Sequence, residues 1–109
     1  SPQTQYPPYN IVKESDTTWR IELALAGWNR DQIEVATETN VLTIRSVDKD
    51  DTDKQEYIHR GVAARTFARG FNLSDDVEVG DVSFNNGLLS VTLTKIVPEH
   101  QKRKVFNIQ

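Results

Sequence analysis

The chain contains no cysteine. Disulfides, thiol nucleophiles and thiolate zinc sites are excluded with it, while the compartment stays open. It contains no methionine either, so the initiator is missing and the native N-terminus is expected to lie before Ser1. For the same reason, the lack of a visible signal peptide carries little weight. No apolar run reaches the length needed to cross a bilayer, and no membrane partner is expected. Basic residues are scarce: 13 Lys and Arg stand against 16 Asp and Glu, for a net charge of −3 and a pI near 5.3. Nucleic-acid affinity comes largely from Lys and Arg on phosphates, so nucleic acid is not expected as a partner. There is no Gly-x-Ser-x-Gly elbow, no His-Glu-x-x-His and no phosphate loop. His59 and His100 have no catalytic partner by spacing. The expectation is a protein that is not an enzyme and needs no cofactor or metal.

A long amphipathic helix is also missing. What is present alternates. At 109 residues the chain fits one domain. Asn86-Gly87 sits between two β-forming runs and suits a two-residue hairpin, since both central residues of a type I′ turn need φ > 0. Past it, Leu89, Val91 and Leu93 fall on one face and Ser90, Thr92 and Thr94 on the other, the pattern of a half-buried strand. Thr18 to Leu25 repeats this with Trp19, Ile21, Leu23 and Leu25. Asn29 to Gln32 reads as a capped turn. Ile33 to Thr37 and Val41 to Ser46 form a second hairpin around Glu38-Thr39-Asn40, with Asn40 supplying a left-handed residue. Asn10 to Glu14 suits an exposed edge strand, with Lys13 and Glu14 guarding it. About eight short strands of this kind make an all-β, immunoglobulin-like antiparallel β-sandwich.

Four stretches depart from that plain alternation. Val47 to Glu56 is acidic and reads as a solvated loop. As an EF-hand starting at Asp48 it has Asp53 and His59 where Gly and Glu are needed, so calcium is set aside. After it, Tyr57 to Val62 is short and β-like, with Tyr57 and His59 on one side and Ile58 and Arg60 on the other. Ala64 to Leu73 places Arg69 on the same face as Phe67, Phe71 and Leu73. A guanidinium there must be paired, at a sheet edge or across an interface. Last, Pro98 stops the final strand. His100-Gln101-Lys102-Arg103-Lys104 is too charged to pack, and Phe106 and Ile108 then share one side of an extended segment, as a tethered anchor would. These breaks divide the chain into an extended arm at 1–9, a sandwich at 10–95 and a C-terminal extension at 96–109.

Val82-Ser83-Phe84-Asn85-Asn86-Gly87-Leu88-Leu89 resembles the Ala-x-x-x-Asn-Gly-Val-Leu signature of the α-crystallin domain of small heat-shock proteins. Tyr6-Pro7-Pro8-Tyr9-Asn10, Leu23-Ala24-Leu25-Ala26-Gly27-Trp28 and Phe67-Ala68-Arg69-Gly70-Phe71-Asn72-Leu73 resemble further motifs of its bacterial branch. Phe106-Asn107-Ile108 resembles its Ile-x-Ile/Val anchor, with Phe in place of the first Ile. The resemblance implies an ATP-independent holdase of the stress response, cytoplasmic, that binds unfolded or partly unfolded client proteins. It implies a homodimer built by exchange of a loop strand, which assigns Tyr57, Ile58, His59 and Arg60 to that interface, and Arg69 as its interface arginine. It implies a larger homo-oligomer in which Phe106 and Ile108 dock in a groove expected to be lined by Ile33, Val35, Val82 and Phe84. The alternative is a monomeric co-chaperone adaptor of the p23 type, built on a related sandwich. Assembly mass separates the two.

Overall fold

Alternation and turn chemistry account for the strands observed. The structure, a computed structural model, describes residues 6–47, 55–61 and 66–109. Seven strands appear among the described residues: β1 (Tyr9–Lys13), β2 (Thr18–Ala24), β3 (Ile33–Glu38), β4 (Val41–Ser46), β5 (Ala68–Asn72), β6 (Val77–Asn85) and β7 (Leu88–Lys95). They form two antiparallel sheets, one of four strands in the order β1-β2-β7-β6 and one of three in the order β3-β4-β5. Short 3-10 turns at Arg30–Gln32 and Glu99–Gln101 complete the set. The first is tied at its start, where the Asn29 amide donates to the Gln32 side chain at 2.9 Å. The second was not expected from sequence.

Both hairpins close on two residues. Asn86 and Gly87 have φ of 52° and 76°, and Asn85 pairs with Leu88 across them. Gly87 is required twice over, because a Cβ there would lie 3.2 Å from the Ala26 Cα as well as adopting a left-handed backbone. In the other hairpin Thr39 and Asn40 are both left-handed, with φ of 49° and 62°. Asn40 was the expected left-handed residue. Thr39 is β-branched and unfavourable there, and it is carried by the pairing of Glu38 with Val41 on either side.

β6 holds a bulge. Its register against β7 shifts between Val79 and Val82. One extra residue moves the inward side chains from the odd positions Val77 and Val79 to the even positions Val82 and Phe84, so all four stay on the face shared with Leu93, Val91 and Leu89.

The core between the sheets is Ile21, Leu23, Leu25, Leu42, Ile44, Phe67, Leu89, Val91 and Leu93. No polar side chain is buried with it among the described residues. One end is capped by Tyr6, whose ring meets Phe67 edge-on, and Trp28, which donates its indole N–H to the Tyr6 hydroxyl at 2.9 Å and also packs edge-on against Phe67. On the outer face of β1 and β2, Arg20 binds Glu14 and Glu22. Hydrogen bonds from Asn10 and then from Arg20 hold the Glu22 carboxyl below its usual range.

Leu42 is fully buried in the middle strand of the smaller sheet. Leu42→Ala is expected to cost about 2–5 kcal/mol through lost transfer energy and the cavity left behind. Urea unfolding with an unchanged midpoint would mean that the core is not organised around this strand.

Candidate functional site

A four-plus-three sandwich leaves two sides where sheet edges face each other. On one side β1 and β5 are the edges, and that side is closed. Tyr9 and Phe71 meet edge-on with ring centroids 5.3 Å apart. Arg69 lies on the inward face of β5 with Phe71, as its spacing required. Its Nη2 and Nε donate to the Pro7 carbonyl at 2.7 and 3.2 Å, and its guanidinium carbon sits 4.9 Å from the centre of the Tyr9 ring. One polar neighbour of this arginine is therefore a backbone carbonyl near the start of its own chain. No feature of spacing could have identified it, because Pro7 is 62 positions away.

On the other side β3 and β6 are the edges, and there the sandwich is open. Ile33, Val35, Val82 and Phe84 line a cavity of about 160 Å³ with Arg30, Ser83 and Leu89. The sequence-expected groove residues are thus brought together. Val82 is 45 % exposed although it faces inward, which marks apolar surface without a neighbour. Arg30 and Leu89 were missed. Arg30 reaches from the capped turn and donates to the Phe84 carbonyl at 2.9 Å, bridging the two sheets at one end of the cavity. Leu89 forms part of the floor as the first inward residue after the Asn86-Gly87 turn, so its alternation was the available signal.

The tail is not in that groove. Past the 3-10 turn, Val105, Phe106 and Ile108 are 71, 73 and 99 % exposed. Lys104 Nζ lies 5.1 Å from the centre of the Phe106 ring, so these two share a side of the extended segment.

Residues 55–61 are exposed throughout and form no strand in the single chain, so Tyr57, Ile58, His59 and Arg60 are not paired as β structure there. Ile58 is fully exposed. Most of the acidic loop, and Val62, lie outside the described residues, as do Ala64 and Arg65. Among the described residues no group of three or more His, Asp or Glu is placed to hold a metal, and no helix is long and apolar enough to cross a membrane.

Similarity to known proteins follows the same architecture. The small heat shock protein HspD of Bradyrhizobium diazoefficiens is 44 % identical over 100 residues, 92 % of this chain and 66 % of the relative, so the chain spans about two thirds of that protein. IbpB of an Enterobacter species is 38 % identical over 94 residues, 86 % of this chain and 66 % of the relative. Among solved structures, the small heat shock protein from Synechococcus phage S-ShM2 shares 62 % identity with a TM-score of 0.68, covering 95 % of this chain and all of that one. AgsA from Salmonella typhimurium matches with a TM-score of 0.76 over 95 % of this chain and all of that one, and at 24 % identity the likeness is one of fold. The Hsp20/alpha crystallin family profile matches residues 11–109. With its two antiparallel sheets, its bulged β6 and its Asn-Gly hairpin, the chain belongs to the Hsp20/alpha crystallin family, the small heat-shock proteins, which are chaperones and not enzymes.

Proposed function

We propose that this protein is an ATP-independent holdase, working in the cytoplasm, which captures unfolding client proteins before they aggregate. The observation that carries the reading is the pairing of an open apolar groove with an exposed apolar tail in one chain. A free monomer with both surfaces bare would aggregate. Docking the tail of one copy into the groove of another covers both at once. Phe106 and Ile108 gain about 3–6 kcal/mol on burial, at roughly 1.5–3 each. Ordering several tail residues opposes this by about 1–2 kcal/mol each. The contact is then weak enough to exchange, and heat that loosens it exposes groove and tail to clients without any nucleotide.

The building block of the assembly is a homodimer. Residues 57–62 leave their own sandwich and add to the partner's sheet as a strand. Two features support this: residues 57–61 are exposed and form no strand in the single chain, and the edge strands leave backbone groups for an added strand to meet. Arg69 then serves two tasks: it holds the arm through Pro7 and stands at the edge where the exchanged strand arrives.

Deleting residues 48–60 should give monomers by light scattering, and dimers that persist would refute strand exchange. For Arg69→Ala, a lower melting temperature and altered assembly mass are expected, because the Pro7 carbonyl loses a charged donor, worth about 1–3 kcal/mol. Arg69→Lys should recover only part of the loss, since lysine lacks the planar fork. An alanine variant with wild-type melting and mass would remove the arginine from the account. The double change Phe106→Ala, Ile108→Ala should shrink the assembly to dimers with unchanged secondary structure. It should also alter suppression of aggregation of a heat-denatured enzyme assayed without ATP. If the wild type protects nothing at equimolar subunits, the chaperone reading fails; if the variant keeps the wild-type mass, the docking reading fails. A wild-type monomer at all concentrations would point instead to a p23-type adaptor.

A further inference from the structure

The open side of the sandwich does not end at the apolar cavity. A second cavity of about 440 Å³ lies between the same two edges, lined by Thr37, Glu38, Thr39, Asn40, Leu73, Val77, Glu78 and Val79. Early residues of β3 face late residues of β6 in the first cavity, and late residues of β3 face early residues of β6 in the second. The two cavities therefore succeed one another along an antiparallel pair of edges, as one cleft with unlike ends. Arg30 stands at the apolar end, with its guanidinium on the Phe84 carbonyl. Asp31 follows it in the turn but does not line the cavity. At the polar end stand Glu38 and Glu78, both exposed and without an ion pair among the described residues.

The tail has a matching asymmetry. Its apolar pair is preceded by Lys102-Arg103-Lys104. In an extended segment Lys102 and Lys104 fall on the side of Phe106 and Ile108, and the contact of Lys104 with the Phe106 ring agrees. Lys102 forms an ion pair with Glu99 at 3.0 Å, which is exposed and hence readily exchanged.

Resting on the docking reading above, we propose that the cleft accepts the tail of a second copy of this chain in one direction only, antiparallel to β3, because the tail's lysines meet Glu38 and Glu78 at the polar end. With Ile108 beside Ile33 and Phe84, and Phe106 beside Val35 and Val82, each step of two tail residues advances about 6–7 Å, the same as each step of two along β3. Lys104 then comes level with Thr37 and Lys102 level with Thr39, within side-chain reach of Glu38 and Glu78. In the reverse direction the lysines run past Arg30, cation against cation, and both glutamates stay unpaired. The apolar pair supplies the attraction. The lysines decide the direction and make it sensitive to ionic strength, since exposed pairs are screened beyond about 8 Å at physiological salt.

The test uses the full chain and reads assembly mass by light scattering against subunit concentration, at low and high NaCl. Wild type should dissociate at lower dilution in high salt. Lys102→Glu with Lys104→Glu, changes confined to the tail and so harmless to the sandwich, should weaken assembly at low salt by at least the roughly two- to thirtyfold that losing two exposed pairs costs, and invert its salt dependence, because salt then screens a repulsion from Glu38 and Glu78. Adding Glu38→Lys and Glu78→Lys should restore assembly. Failure of that restoration, or a tail reversal that changes neither the mass nor its salt profile, overturns the inference. The double alanine variant at Phe106 and Ile108 separates the two levels. If it shrinks the assembly while the charge reversals do nothing, only the direction is wrong; if it changes nothing, docking itself is wrong and the inference falls with it.

Discussion

The bond from the Arg69 guanidinium to the Pro7 carbonyl sets which side of the sandwich is closed. A guanidinium on the inward face of a strand would be prohibitively costly if it were left unpaired. Here it draws the N-terminal arm across the gap between β1 and β5, with Tyr9 stacked beneath the charge and edge-on to Phe71. Among the described residues nothing equivalent spans β3 and β6 along their length. Arg30 ties the sheets at a single point through the Phe84 carbonyl and leaves the rest of that side open. The cleft therefore follows from strand number and from where the two arginines happen to reach.

An open cleft with apolar walls has a consequence for the free chain. Val82 at the rim and Phe106 and Ile108 in the tail are apolar surfaces held in water. Each is small, and each gains from a partner that covers it. The core behind them is modest, so the cleft cannot be filled from within without undoing Leu89 and Val91 on its floor and beneath it. Covering it with another copy's tail is the proposed solution, and it links solubility, assembly and client access in one contact of intermediate strength.

Much of this was legible from residue order. Period-two patterning identified the inward faces of β2 and β7, because one face of each strand is buried and a slip by one residue would expose it. Asn86-Gly87 marked its hairpin for steric reasons that hold in any context. The groove residues were expected from the resemblance, and Ile33, Val35, Val82 and Phe84 do line one cavity. Other features were hidden because they depend on long-range placement. Thr39 is left-handed only because the strands around it fix a two-residue connection. The bulge between Val79 and Val82 reverses the phase within one strand, which a simple alternation cannot report. Pro7 as the partner of Arg69, and Arg30 as the bridge to Phe84, are contacts between segments far apart in sequence. Tyr57 to Arg60 shows the opposite limit: its β-like composition does not make a strand in a single chain, because a strand needs an edge to pair with.

The central claim is that groove and tail are covered by each other between copies and uncovered together. Amide hydrogen exchange of the full-length protein, followed at residues 82–85 and 105–108 over a dilution series, tests it most directly. The account predicts slow exchange at both segments when the protein is concentrated, and a joint loss of protection over the same range of dilution or heating that admits clients. Fast exchange at 105–108 at every concentration, with residues 82–85 unaffected by dilution, would contradict it.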